Sequence, residues 1–166
     1  MIFLFLMISC SSISTKNFTV IYPDELYKDC ALQQLSILET YRNDPGRTIL
    51  FVDDLGGMIN GGAMPSVNGI VLNSYIPAPV PRYGSFPSWW RIAPLHEYTH
   101  IANMTSTGGI PKLFRGLFGK SFQPNLYVPL WVAESYTVYY ESRQFPFEYP
   151  KKNRSNWLAA RIMKPD

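Results

Sequence analysis

The chain has few cysteines, few histidines and few charged side chains. Its 166 residues include two Cys and two His, and charged residues make up 16% of the total. The two cysteines lie far apart, without a histidine near either, which excludes a zinc site built on cysteine ligands. The net charge of +3 is small and no cluster or stripe of Lys and Arg accompanies it, so nucleic acid is not an expected partner.

The residues that are present suit one folded domain. Hydrophobic residues make up 46% of the chain and aromatic residues 15%, a composition that argues against disorder. A chain of this length can bury a real core but has little room for a second domain. We therefore predict a single domain over residues 18–166.

A short apolar run opens the chain, from Met1 to Ile8. It is shorter than the roughly 20 residues that span a bilayer as a helix, but it fits the apolar region of a secretory signal. The I-S-C-S-S sequence that follows resembles a bacterial lipobox, in which the cysteine, here Cys10, is lipidated. We predict that residues 1–17 are a signal or lipoprotein anchor with a linker, and that the protein is exported and held at the membrane of the bacterial cell envelope. The alternatives are an ordinary cleavable signal and an apolar first strand.

Hydrophobic periodicity predicts an α+β fold, with a small mixed sheet packed on helices. The run at 48–52 is continuously apolar, which predicts a strand buried on both faces. The stretch from 53 to 68 is rich in Gly, Asn and Asp and indicates a loop. The remaining predicted elements are strands at 18–22 and 69–73 and helices from Asp24 to Asn43 and at 89–104, 113–118 and 129–143.

Both histidines lie in an H-E-x-x-H motif at 96–100. Residues four apart share one face of a helix, so the imidazoles of His96 and His100 can reach one metal ion. Glu97 lies beside that face, where it can act as general base toward a water molecule on the metal. The alternative is a surface helix with two ordinary histidines. The apolar residues around the motif argue against it, because burying these polar groups without partners is costly.

A catalytic zinc site needs a third protein ligand, and no third histidine exists. No Asp or Glu occurs between His100 and Glu134, so Glu134, on the next apolar helix, is the predicted ligand. Glu141 lies two turns farther along the same face. It is predicted to accept a hydrogen bond from the other ring nitrogen of a ligand histidine; the alternative is a solvated glutamate at the helix end.

Seven short segments together resemble the peptidase-MA-like gluzincin domains of exported bacterial proteins. This resemblance implies a zincin-like fold, in which a sheet packs on the helix of the motif and on a second helix that carries a glutamate. It also implies a bound Zn²⁺ ion. The segments lie at 53–54, 60–65, 68–72, 95–101, 122–125, 129–134 and 138–141.

The resemblance also implies an activity. The chain is expected to be a metallopeptidase that cleaves a peptide or protein substrate with zinc-activated water. Gly62, Ala63 and Met64 are implied to form the edge strand that pairs with the substrate backbone, whereas the residues alone fit a flexible glycine loop equally well. The competing hypothesis is a catalytically idle zincin fold that serves binding or assembly in the cell envelope.

Overall fold

A five-stranded sheet and four α-helices make up the part of the chain that the computed structural model describes. That part comprises residues 10–42, 46–53, 61–73, 89–106, 108–119 and 122–145. The α+β prediction is confirmed. The strands are β1 (Ser11–Ser14), β2 (Phe18–Tyr22), β3 (Thr48–Asp53), β4 (Gly61–Met64) and β5 (Gly69–Asn73), and the helices are α1 (Lys28–Thr40), α2 (Trp89–Thr105), α3 (Gly109–Phe118) and α4 (Leu130–Gln144).

The sheet is mixed, with the strand order β1-β2-β3-β5-β4. Its three inner strands run parallel to one another, whereas β1 and β4 pair antiparallel at the two edges. Parallel neighbours need a crossover connection, and α1 supplies it between β2 and β3. Strand β4 lies within the glycine-rich stretch that was predicted to be a loop, and it forms one edge of the sheet.

The core lies between the sheet and two helices, α1 and α2. These helices pack against each other and against the strands, α1 on β2 and α2 on β4 and β5. In β3 the buried residues alternate with partly exposed ones, so the prediction that this strand is buried on both faces is wrong. The sheet makes its main helix contacts with α1 and α2, which pack against each other. The side chains on the other face of β3 therefore remain partly exposed. The core side chains are Phe18, Val20, Tyr22, Ala31, Leu35, Leu38, Leu50, Val52, Ile70, Leu72, Ala93, Tyr98 and Ile101.

The stretch predicted as a linker, residues 11–17, contains a strand. Ser11–Ser14 pairs antiparallel with β2, opposite Tyr22 at one end and Thr19 at the other, and Ile13 packs against the core. The edge of β2 offers unpaired backbone groups, and pairing with them outweighs the weak strand preference of serine. The predicted signal segment, residues 1–9, lies outside the described residues. None of the described helices has the length and apolarity needed to cross a membrane.

The first helix begins as the sequence predicts. The carboxylate of Asp24 accepts a hydrogen bond from the backbone N–H of Leu26 at 3.0 Å, which caps a single 3₁₀ turn, Glu25–Tyr27, that leads into α1. Such a cap satisfies a backbone donor that the helix itself leaves unpaired.

One buried polar residue in α1 was not expected from the sequence. Gln34 has no exposed surface, and neither its Nε2 nor its Oε1 atom has a hydrogen-bond partner in the described part of the chain. A buried amide without partners costs free energy of folding.

Replacing Gln34 by methionine, which has nearly the same shape, is expected to raise the free energy of unfolding by about 1–2 kcal/mol, because the amide no longer has to be desolvated. Denaturant unfolding measures the change. Gln33→Met is the matched control, since Gln33 is the exposed neighbour on the same helix, and it should leave stability nearly unchanged. Equal effects of the two substitutions, or a loss of stability in Gln34→Met, would contradict the expectation.

Candidate metal centre

Helices α2 and α4 pack together and bring three predicted ligands to one point. The Nε2 atoms of His96 and His100, one turn apart on α2, lie 3.2 Å from each other. From α4, the carboxylate of Glu134 reaches between them, with Oε2 3.2 Å from Nε2 of His96 and Oε1 3.4 Å from Nε2 of His100. These three side chains could hold a metal ion.

The spacing of the three side chains fits a small ion in tetrahedral coordination. Zinc lies about 2.0–2.1 Å from nitrogen and oxygen ligands, so two tetrahedral ligand atoms lie roughly 3.3 Å apart. The two Nε2 atoms lie 3.2 Å apart, Oε2 of Glu134 lies 3.2 Å from Nε2 of His96, and its other oxygen, Oε1, lies 3.4 Å from Nε2 of His100. With one ligand atom taken from each side chain, the three atoms lie within 4.8 Å of one another, so a small movement of the carboxylate completes the spacing that such an ion requires.

The outer ring nitrogens of both histidines have hydrogen-bond acceptors. Nδ1 of His96 lies 3.2 Å from Oε2 of Glu141, which is buried. Nδ1 of His100 lies 3.4 Å from Oγ1 of Thr137. Because the Thr137 hydroxyl donates to the backbone carbonyl of Ala133 at 3.0 Å, it can accept a hydrogen bond from the imidazole. Both rings can therefore carry their proton on Nδ1, which leaves the Nε2 lone pairs directed at the metal position.

Of these two hydrogen-bond partners, Glu141 was predicted from the sequence and Thr137 was not. Glu141 lies beside His96, a predicted ligand, and the alternative of a solvated glutamate at the helix end is wrong, since the side chain is buried. Thr137 was missed by sequence reasoning. A signal existed: Thr137 lies three residues after Glu134 and four before Glu141, so all three share one face of α4.

The charges of the site favour a cation at its centre. Hydrogen bonds from His100 and His96 hold the pKa of Glu134 well below its usual range. Burial lowers the pKa of His96, but hydrogen bonds to Glu134 and Glu141 have the larger effect. Together they raise the pKa of His96 to about 10. A proton therefore resides among these groups at neutral pH, and a metal ion would displace it, because ligand histidines bind in the neutral form.

Glu97 is buried beside the ligands. Burial raises the pKa of its carboxyl group, although His96 and His100 act in the opposite direction. Within the described part of the chain, no residue donates a hydrogen bond to this carboxylate. Its oxygens can therefore accept a proton from a molecule that enters the site.

The site opens to solvent on the side of Glu134. Its side chain is 45% exposed, whereas that of His96 is 22% and that of His100 7% exposed. A water molecule or substrate group could approach from this side without displacing a histidine.

The residues predicted as a substrate edge lie at an edge of the sheet. Gly62, Ala63 and Met64 belong to β4, whose one strand partner among the described residues is β5. The loop alternative is wrong for these residues, because their backbone pairs with β5 in regular register. Gly61 needs to be glycine, since a Cβ atom there would lie 2.4 Å from the carbonyl oxygen of Val71. Helix α2 packs against β4, so this edge lies beside the helix that carries the motif.

The chain matches no family model, no curated protein and no solved structure. The side chains described above are therefore the basis on which a function can be inferred. Cys10, the predicted lipidation site, is exposed immediately before β1, and its modification stays a prediction.

Proposed function

We propose that the protein is a zinc-dependent hydrolase, a metallopeptidase of the gluzincin type with a zincin-like fold. His96, His100 and Glu134 would hold the zinc ion. The observation that carries the proposal is the convergence of the three side chains: the two Nε2 atoms lie 3.2 Å apart, and the two carboxylate oxygens of Glu134 lie 3.2 Å from the one and 3.4 Å from the other. Three protein ligands with an open side are typical of a catalytic zinc site, whereas structural sites are closed by four.

The surrounding residues have roles that suit hydrolysis. When bound, zinc would polarise a substrate carbonyl and lower the pKa of a water molecule. Glu97 would accept the proton from the attacking water and pass it to the leaving nitrogen of the peptide bond. Glu141 and Thr137 would hold the two imidazole rings in orientation through their Nδ1 atoms. Of these groups, Glu141 and Thr137 already lie within hydrogen-bond distance of the imidazoles.

A peptide is the substrate that the sheet edge favours. An extended peptide can add a strand to an exposed edge through main-chain hydrogen bonds. Gly62 has no side chain and that of Ala63 is a single methyl group, and no atom lies within 4 Å of a Cβ built on Gly62, so the approach to β4 is open there. Because α2 packs on β4, a strand added there would run beside the metal centre.

Metal analysis combined with cleavage of a peptide library tests this proposal. The purified protein is expected to contain about one zinc ion per chain. It should cleave library peptides, lose the activity on treatment with a chelator and regain it when zinc is added back. Bound zinc without cleavage of any peptide would favour the idle zincin module. A protein that neither retains nor takes up zinc would contradict both hypotheses.

We also propose export and lipid anchoring at Cys10, on the strength of the lipobox-like sequence. In a bacterial host, a labelled fatty acid should mark the wild-type protein and not Cys10→Ser. Cys30→Ser is the control and should be labelled like wild type. Wild-type protein that is unlabelled and soluble would leave an ordinary cleavable signal as the explanation.

A further inference from the structure

Helix α3 exposes a continuous stripe of large apolar side chains. They recur at steps of three and four residues, which places them on one face of the helix. Ile110 is 73% exposed, Leu113 68% and Leu117 71%. We call this set the α3 stripe; its members are Ile110, Leu113, Phe114, Leu117 and Phe118.

The orientation of α3 is the reverse of that in an ordinary surface helix. Such a helix turns its apolar side to the core and its polar side to water. Here Arg115, on the opposite face from the stripe, donates a hydrogen bond from Nη1 to the backbone carbonyl of Thr105 at 2.7 Å, at the end of α2. Arg115 is thus tied to the end of α2, Lys112 remains exposed, and the stripe faces outward.

Aromatic rings extend the apolar surface beyond the helix. The rings of Phe114 and Phe118 lie 6.3 Å apart, and Phe122 joins them at 5.8 and 6.5 Å. All three phenylalanines therefore form one cluster at the surface. An exposed apolar surface of this kind marks an interaction site.

The charges near the α3 stripe favour an anionic partner. Lys112 on α3 is exposed, and the sequence from residue 98 to residue 133 contains Lys and Arg but no Asp or Glu. A second copy of the chain would bring the same cations against each other, whereas anionic lipid headgroups would neutralise them. An apolar stripe with a cation on the opposite, polar face is typical of helices that lie at a membrane surface.

We infer that α3 is a membrane-surface helix. The α3 stripe enters the boundary between headgroups and acyl chains of an anionic bilayer, and Lys112 lies near the lipid phosphates. This contact uses no residue of the metal centre and does not require a lipid on Cys10. It is therefore independent of the proposed function.

Binding to vesicles tests the inference. The full chain with Cys10→Ser, which has no lipid anchor, should bind vesicles of phosphatidylcholine and phosphatidylglycerol. The double variant Leu113→Gln, Leu117→Gln in the same chain should bind about ten-fold more weakly or worse, since two apolar side chains no longer leave water. The matched control is Leu26→Gln, which changes a leucine that is 82% exposed elsewhere on the surface, and it should bind like its parent.

The contribution of charge is tested separately. Lys112→Gln should weaken binding to the vesicles that contain phosphatidylglycerol and leave binding to phosphatidylcholine alone unchanged. Added salt should reduce this difference.

A fluorescent probe reports whether α3 itself enters the bilayer. A polarity-sensitive dye is attached at Leu117→Cys, or at Leu26→Cys as the control, in a chain with Cys10→Ser and Cys30→Ser. Vesicles should shift the emission to shorter wavelength at position 117 and not at position 26. This readout separates insertion of α3 from binding through any other segment.

Two outcomes would overturn the inference. If the double variant binds vesicles as well as its parent and the probe at position 117 does not respond, another segment makes the contact. If the parent does not bind vesicles, and is a dimer that Leu113→Gln with Leu117→Gln converts to a monomer, a second copy covers the α3 stripe.

Discussion

Replacing Glu97 by glutamine is expected to lower kcat/KM for peptide cleavage by about 10²–10⁴-fold and to leave the zinc content unchanged. The amide has nearly the same shape as the buried carboxylate but cannot accept a proton from the attacking water. Rates on a library peptide and metal analysis of the same preparation measure both effects. Glu25→Gln is the control, because Glu25 is an exposed residue paired with Lys28 far along the chain from the motif, and it should cleave like wild type.

The pH profile gives a second readout for Glu97. A general base must be deprotonated to act, so activity should fall as the pH decreases through its pKa. Burial raises the pKa of Glu97 and the charge of a bound zinc ion would lower it, so the midpoint of the fall reports the balance of the two effects in the zinc-loaded protein. Full activity in Glu97→Gln would assign the base to another group, and loss of zinc from that variant would make Glu97 a ligand.

Replacing Glu134 by glutamine is expected to lower zinc affinity by more than about 100-fold. This loss is larger than the loss caused by changing a residue that only orients a ligand. A neutral amide takes the place of an anionic ligand between two imidazoles. Glu141→Gln should cost less, about 10–100-fold in affinity or activity, because it alters only the hydrogen bond to Nδ1 of His96. Competition with a chromophoric chelator measures both affinities under the same conditions.

A comparison of the two glutamine variants tests which glutamate binds the metal. They lie seven residues apart on α4, about 10 Å along the helix axis, and their carboxylates approach different nitrogens of His96. If Glu141→Gln strips the metal while Glu134→Gln retains it, the two roles are the reverse of those assigned here.

Elements with a strong local pattern could be predicted from the sequence. Strand β2 occupies 18–22 and β5 occupies 69–73, the same residues that the pattern predicts, because β-branched and aromatic residues there end at clear turn signals. Helix α4 begins within one residue of its prediction, since Pro129 fixes its start.

The elements that the sequence could not predict depend on distant parts of the chain. Ser11–Ser14 has little strand preference of its own and becomes a strand by pairing with β2. Gln34 lies on the same helix face as Ala31 and Leu38, but its polar side chain gives no sign that it is buried. Periodicity indicates which face a residue occupies, whereas the depth of burial depends on the elements that pack against it.

The candidate site also has a part that the sequence predicts and a part that depends on packing between distant helices. The four-residue spacing of His96 and His100 alone predicts that both rings share a face. The approach of Glu134 to both Nε2 atoms needs the packing of α4 on α2, which no local pattern contains. Thr137 was overlooked because a threonine on a helix usually bonds its own backbone, and here it does so while it also faces His100.

The position of β1 limits where the proposed enzyme could act. Ser11 follows Cys10 directly and is already paired in the sheet, so a lipid on Cys10 would have no spacer between it and the folded domain. The strand order places β4 four strand spacings from β1, roughly 19 Å at about 4.8 Å each. The domain would stay against the lipid headgroups, and polypeptides that emerge from the bilayer or are tethered to it would reach the β4 edge at a far higher effective concentration than peptides diffusing in bulk.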